Sequence, residues 1–223
     1  MSDARPVVIL ISGNGSNLQA IIDATHEQGL PLDLRLVVSN RPEAHGLERA
    51  RAAGIPAVVI DHHDHPDRAA FDHALMAAID EHGGPEALVV LAGFMRILTD
   101  DFVHHYLGRL VNIHPSLLPK YKGLNTHARV LAAGDSETGA TVHFVTPALD
   151  DGPLILQARV PVKAGDTPET LAARVHEVEH LLYPRALTLI AQGTVQMDTE
   201  NMLTLWNGQP ASPDQLQLAL HPA

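Results

Sequence analysis

Blocks of apolar residues alternate with amphipathic segments along the first half of the chain. The apolar runs predict five strands, at residues 6–12, 34–39, 56–60, 87–93 and 110–114. Three helices are predicted between them: one capped by Ser16 or Asn17, one over 47–53 and one over 67–82. Strand, helix and strand in repeated succession indicate right-handed crossovers and therefore a mostly parallel sheet.

The pattern changes after Pro119. Residues 139–145 and 154–162 predict two further strands, and we expect them to form an antiparallel extension of the sheet on either side of the loop 146–153. The prediction is a single domain over residues 1–223. Its class is α/β, with a Rossmann-like, mostly parallel twisted sheet flanked by helices.

The last third of the chain begins with a long helix. Thr167 followed by Pro168 is typical of a helix start, with threonine as the N-cap and proline at the first helical position. The apolar spacing extends this helix to about residue 191, and Pro184 is expected to kink it. Two short strand-like pieces around Asn207 and Gly208 precede a polar, proline-containing end.

Composition narrows the possible functions. The 223 residues suit one α/β domain, and the net charge of −11 argues against nucleic acid or an anionic membrane surface as the main partner. With no cysteine, the chain has no disulfide, thiolate zinc site or cysteine nucleophile. The longest near-apolar stretch, residues 87–95, is less than half of a membrane span, and no secretory signal precedes the first strand. We therefore expect a cytoplasmic protein.

The first strand leads into a glycine-containing loop that consists of Gly13, Asn14, Gly15, Ser16 and Asn17. Two glycines let the backbone turn tightly and direct its amides, with the helix N-terminus, at an anion. Leu18 stands at the third glycine position of a dinucleotide fingerprint, and no Gly-Lys-Ser/Thr follows. The loop is therefore either a simple tight turn or a monophosphate site.

Asn112 and His114 end the fifth predicted strand, where open α/β sheets place their ligands. The two-residue period of a strand puts both side chains on one face. A side-chain amide and a protonated imidazole that converge on one point suit a developing oxyanion. The alternative is that His114 is an ordinary hydrogen-bonded histidine at a strand end.

Asp150 lies in the loop between the two later strands, in the sequence Asp150-Asp151-Gly152-Pro153. If this carboxylate approaches His114, its charge favours the protonated imidazole. Acidic residues beside Gly-Pro are also common turn formers, so the sequence leaves both interpretations open.

A histidine-rich segment, Asp61-His62-His63-Asp64-His65, carries ligand-type side chains. We predict no metal site here, because adjacent residues are not expected to point at one ion. Glu177, Glu179 and His180 on the last long helix are most simply explained as a solvated face.

Four stretches carry a resemblance to a known family: ISGNGSNLQA at 11–20, LAGFMRIL at 91–98, NIHPSLLP at 112–119 and DDGP at 150–153. Over residues 6–207 the chain resembles the phosphoribosylglycinamide formyltransferase family (glycinamide ribonucleotide transformylases) of the folate-dependent formyltransferase superfamily. The resemblance implies the formyltransferase fold. It also implies a nucleotide-phosphate-binding half over about 1–105 and a folate-binding, catalytic half over about 106–223.

The resemblance assigns roles residue by residue. It implies that His114 is the proton donor and oxyanion stabiliser, that Asn112 holds the formyl carbonyl and that Asp150 keeps the histidine charged. The implied phosphate and ribose contacts are Gly13, Asn14, Gly15, Ser16, Asn17, His176 and Glu179. The implied folate contacts are Arg68, Met95, Arg96, Ile97, Leu98, Asn112, Thr146, Pro147, Ala148, Leu149 and Asp150. Lys122 and Asn125 depart from a common form of the family, which has proline and histidine there.

The reaction that the resemblance implies is transfer of the formyl group of 10-formyltetrahydrofolate to the amine of glycinamide ribonucleotide in purine synthesis. Its partners are these small molecules, with no metal, nucleic acid or membrane, and the chain is expected to be a monomer or homodimer. A formyltetrahydrofolate hydrolase and a methionyl-tRNA formyltransferase are similar in core, but each carries an additional domain not expected here. A non-catalytic phosphometabolite-binding module is the alternative from another class.

Overall fold

The main sheet of the computed structural model, which describes residues 4–218, has seven strands in the order β3-β2-β1-β4-β5-β6-β7. The strands are β1 (Arg5–Ile11), β2 (Leu32–Ser39), β3 (Ala57–Val59), β4 (Leu88–Leu91), β5 (Leu110–His114), β6 (Glu137–Phe144) and β7 (Leu154–Pro161). The pairs among β1 to β5 are parallel, whereas β6 and β7 are antiparallel. The predicted fold class, including the antiparallel extension, is confirmed.

The chain forms two compact units, the first ending at Asn112 and the second beginning at Ile113. In the first unit β1 is the centre of the core, because residues 7–11 are fully buried. Helices α1 (Ser16–Gln28), α2 (Gly46–Ala52), α3 (Arg68–Gly83) and α4 (Asp100–His105) accompany its strands. Leu91 of β4 pairs in register with Leu10 and with Asn112, so these parallel strands end at the same edge.

The second unit is built on the β6–β7 hairpin. Helix α6 (Pro168–Ala191) packs on both strands, and α5 (Thr126–Ala133) packs on α6. Within the described residues a smaller antiparallel sheet follows, with β8 (Val195–Asp198), β9 (Leu203–Trp206) and β10 (Gln209–Pro210). Its β9–β10 turn contains Asn207 and Gly208, as the sequence predicts. Residues 219–223 of the predicted polar end lie outside the described residues.

Several helix details differ from the sequence prediction. The N-cap of α1 is Gly15, whose φ of 74° is left-handed, and no side-chain cap is formed, so the predicted cap by Ser16 or Asn17 is wrong. The cap of α6 is confirmed, because Thr167 and Thr170 each accept a hydrogen bond from the other's backbone N–H. Helix α6 continues through Pro184, where the kink remains a prediction.

Helices α4 and α5 were not predicted, since six and eight residues are too few to display a clear apolar period. Short 3₁₀ helices at His62–Asp64 and Pro213–Leu216 were also not predicted. Among residues 4–218, no helix combines the length and the apolar character that crossing a bilayer requires.

Candidate active site

His114, at the carboxyl end of β5, is buried with an oxygen atom near each ring nitrogen. Nδ1 lies 3.3 Å from Oδ2 of Asp150, and Nε2 lies 2.9 Å from the carbonyl oxygen of Tyr121. Oxygen atoms that can accept hydrogen bonds therefore lie beside both ring nitrogens of His114.

Asp150 is held by the backbone around it. Its Oδ2 accepts a hydrogen bond of 2.8 Å from the N–H of Gly123, and its φ of 48° is left-handed. The turn also requires glycine at position 152, because a Cβ there would lie 1.8 Å from the carbonyl oxygen of Phe144. Asp150 is therefore both a turn former and a partner of His114, so the two interpretations of the sequence are compatible.

A second buried histidine, His143, lies beside the same carboxylate. Its Nε2 is 3.9 Å from Oδ1 of Asp150, and its Nδ1 is 2.9 Å from the carbonyl oxygen of Phe144. Burial lowers the pKa of His143, and this effect outweighs the opposing hydrogen bond to Phe144 and the charge of Asp150. His143 was not predicted as a site residue, although a histidine within the apolar run of β6 was the available signal.

A buried hydrogen-bond network fixes the loop between His114 and Tyr121. The hydroxyl of Thr141 donates to the carbonyl oxygen of Ser116 (2.6 Å) and accepts from the N–H of Leu118 (3.1 Å). The side-chain amide of Gln157 donates to the carbonyl oxygen of Leu118 (2.9 Å). Strands β6 and β7 therefore position the loop whose end presents the Tyr121 carbonyl to His114.

Asn112 lies two residues before His114 on β5, so the two side chains leave the same face of that strand. It is half-buried, and its register partner is Leu91 at the end of β4. The loop after β4 contains four of the predicted folate contacts, residues 95–98. Met95, Arg96 and Ile97 are exposed there, and Met95 and Ile97 are 67% and 70% exposed although their side chains are apolar.

The loop after β4 is tied to the ends of β1 and β2. The N–H of Met95 donates to Oγ of Ser12 (2.7 Å), and the Ser12 hydroxyl donates to Oδ1 of Asn40 (2.6 Å). Leu98 is half-buried, and Arg68 is exposed at the start of α3. Hydrogen bonds to the ends of β1 and β2 therefore hold the loop that contains the predicted folate contacts 95–98.

The remaining predicted folate contacts lie in the loop before Asp150. Thr146 is buried, whereas Pro147, Ala148 and Leu149 are exposed. Leu149 is 62% exposed. An apolar side chain left open beside a buried carboxylate is a suitable contact for an aromatic ligand.

The glycine-containing loop makes the tight turn that its sequence predicts. A Cβ on Gly15 would lie 2.6 Å from the Cα of Gly46, so the close approach of two backbones excludes larger residues. Arg49 of α2 was missed in the sequence. Its guanidinium donates to the carbonyl oxygen of Asn14 (2.9 Å) and to Oδ1 of Asn14 (3.1 Å). The positively charged side chain of Arg49 therefore fixes the loop immediately before α1 begins.

His176 and Glu179, the predicted ribose contacts, form an ion pair on α6. Nδ1 of His176 lies 2.9 Å from Oε2 of Glu179, and the Glu179 side chain is buried. The hydrogen bond to Glu179 raises the pKa of His176, and partial burial opposes this shift. Glu179 is therefore not part of a solvated face, which corrects the simplest explanation of its position.

The histidine-rich segment also differs from expectation. Asp61, His62 and His63 are adjacent in sequence, but each offers one ligand atom within 4.8 Å of the others. The premise that adjacent residues cannot converge is therefore wrong for these three.

The chain is similar over most of its length to formyltransferases. The formyl transferase family profile matches residues 5–187. Phosphoribosylglycinamide formyltransferase of Escherichia coli is 52% identical over 207 residues, which are 93% of this chain and 96% of that protein. The trifunctional purine biosynthetic protein adenosine-3 of Bos taurus is 50% identical over 90% of this chain, which spans only 20% of that protein.

Solved structures agree with the sequence comparison. Phosphoribosylglycinamide formyltransferase from Coxiella burnetii has a TM-score of 0.90 and 50% identity, covering 96% of this chain and 99% of that chain. Glycinamide ribonucleotide transformylase 1 from Symbiobacterium toebii has a TM-score of 0.87 and 42% identity, covering 92% of this chain and 95% of that chain.

Proposed function

Because this chain belongs to the formyl transferase family, we propose that it transfers the formyl group of 10-formyltetrahydrofolate to the amine of N1-(5-phospho-D-ribosyl)glycinamide. Its identity to the curated relatives makes it an enzyme of the phosphoribosylglycinamide formyltransferase class. The step belongs to de novo synthesis of the purine nucleotide IMP. The observation that carries the proposal is the buried His114, placed between the Asp150 carboxylate and the Tyr121 carbonyl.

The substrate amine attacks the formyl carbon directly, and the carbonyl oxygen of the formyl group becomes an oxyanion. His114 in its charged form and the side-chain amide of Asn112 donate hydrogen bonds to this oxygen. To donate to this oxygen, the Nε2–H group of His114 leaves the carbonyl oxygen of Tyr121, while its Nδ1–H group stays directed at Asp150.

Collapse of the tetrahedral intermediate breaks the bond between the formyl carbon and the folate nitrogen. The attacking amine loses a proton and the leaving nitrogen gains one, so the protons balance without another reactant. A water molecule near His114 and Asp150 relays this proton. The step requires no covalent enzyme intermediate and no metal.

Substrate binding is assigned to separate groups. The loop amides of Gly13, Asn14, Gly15, Ser16 and Asn17 bind the phosphate, aided by the N-terminus of α1 and the charge of Arg49. His176 and Glu179 bind the ribose hydroxyls. The folate is held by Arg68, Asn112, the loop 95–98 and the loop 146–150.

Tetrahydrofolate release from 10-formyltetrahydrofolate, measured with and without the glycinamide nucleotide, tests the proposal. We expect release only when the nucleotide is present. Equal release without it, accompanied by formate, would identify a hydrolase. No release in either case would support a non-catalytic binding module.

A further inference from the structure

The turn after β3 brings three ligand-type side chains together. Asp61 caps the 3₁₀ helix His62–Asp64, because its Oδ1 accepts a hydrogen bond from the N–H of His63 (2.9 Å). This tight turn places one ligand atom each of Asp61, His62 and His63 within 4.8 Å of the others. In an extended chain, neighbouring side chains would point to opposite sides.

Asn40 orients the ring of His62. The His62 side chain is only 14% exposed, and Nδ1 lies 3.1 Å from the carbonyl oxygen of Asn40. The Asn40 side chain is held in turn by the hydroxyl of Ser12 (2.6 Å). Nδ1 of His62 also lies 3.3 Å from the side-chain nitrogen of Asn40 and 3.6 Å from Oδ1 of Asp61. Metal-binding histidines are characteristically oriented by such hydrogen-bonding neighbours, and Asn40 holds the His62 ring beside the carboxylate.

Asp61 and His63 complete the group. Oδ1 of Asp61 lies 2.9 Å from Nδ1 of His63, and the rings of His62 and His63 are 3.9 Å apart between centroids. The group therefore presents two imidazoles and one carboxylate.

We propose that Asp61, His62 and His63 form a binding site for a divalent transition-metal ion of the Zn²⁺ type. Imidazole nitrogen and carboxylate oxygen are ligands that Zn²⁺ accepts, whereas Mg²⁺ and Ca²⁺ prefer oxygen alone. Ligand atoms around one tetrahedral Zn²⁺ are roughly 3.4 Å apart for bonds of about 2.0–2.2 Å, so small side-chain rotations suffice. Water completes the coordination, and the ion takes no part in formyl transfer.

Titration of the metal-free protein with Zn²⁺ alone, followed by calorimetry at pH 7.5, tests the site. Co²⁺ absorption provides a second readout, because its intensity reports tetrahedral coordination. We expect one ion per chain, and both His62→Gln and His63→Gln to weaken binding by roughly 10–100-fold or more, the range that loss of even a supporting residue produces. His63 is 77% exposed, so His63→Gln leaves folding intact.

His45→Gln is the matched control, because His45 is an exposed histidine paired with Glu48 (2.7 Å) in the same unit. It should bind Zn²⁺ like the parent. Unchanged Zn²⁺ affinity in the His62→Gln, His63→Gln double variant would overturn the proposal, as would equal weakening by His45→Gln. The experiment measures metal binding without substrate, so its outcome is independent of the proposed formyl transfer.

Discussion

Replacement of Asp150 by asparagine isolates the charge that faces His114. Asparagine has nearly the same shape and tolerates the left-handed φ of 48° at this position, so the turn is retained. Oδ2 of Asp150 and Nδ1 of His114 are 3.3 Å apart, and the proposed mechanism gives the two side chains opposite charges. At an effective dielectric constant near 20, their attraction is at most about 5 kcal/mol, and desolvation of two buried side chains offsets part of it.

The remaining effect is comparable with loss of an oxyanion donor, so we expect kcat to fall by ~10²–10³ in Asp150→Asn. Steady-state kinetics at saturating nucleotide and folate measure this effect, and thermal unfolding checks that the fold is intact. Asp151→Asn is the matched control, because Asp151 lies in the same loop, is more than half exposed and pairs with Lys122. Near-parental kcat in folded Asp150→Asn, or an equal loss in Asp151→Asn, would show that catalysis does not depend on the charge of Asp150.

Three further predictions concern other parts of the chain. Arg49→Ala should raise KM for the nucleotide with little change in kcat, since Arg49 fixes Asn14 in the loop that we propose to bind phosphate. A kcat defect at unchanged KM would contradict this. Gly152→Ala should lower the free energy of unfolding by about 1–3 kcal/mol, because its Cβ would overlap the carbonyl oxygen of Phe144. Thermal unfolding measures this effect, and an unchanged unfolding temperature would contradict it. The pKa of His176 is raised in the folded protein. Its pair with Glu179 therefore stabilises the fold fully below about pH 6.5, and this contribution is lost as the pH rises through the raised pKa. The free energy of unfolding of His176→Gln, measured with denaturant, should differ from that of the parent more at pH 6 than at pH 8.

The strands were predictable from the sequence because their signal is local. Residues 7–11 are apolar without interruption, and this pattern is typical of a strand with both faces buried. The β6–β7 pair was predictable for a similar reason, because turn residues separate two strand-like runs. Helices α4 and α5 were not, since each is short and stabilised by its neighbours rather than by its own periodicity.

The residue types of the candidate site could be read from the sequence, but the contacts between those residues could not. Asn112 and His114 follow from their position at a strand end, and the resemblance to the formyltransferase family supplied the partnership with Asp150. The contact of His114 with the Tyr121 carbonyl depends on how a loop folds back, and no local pattern encodes it. The same holds for Arg49, which reaches Asn14 across 35 residues of sequence.

We propose that His114 acts on the formyl oxygen during direct transfer to the amine. A single turnover with a ¹³C-labelled formyl group on the folate, run with the parent and with His114→Gln, measures this role. We expect the label to appear in the formylated glycinamide nucleotide in step with tetrahydrofolate, and His114→Gln to slow both by ~10²–10³. Label released as formate would rule out direct transfer, and transfer at the parental rate by folded His114→Gln would rule out this role of His114.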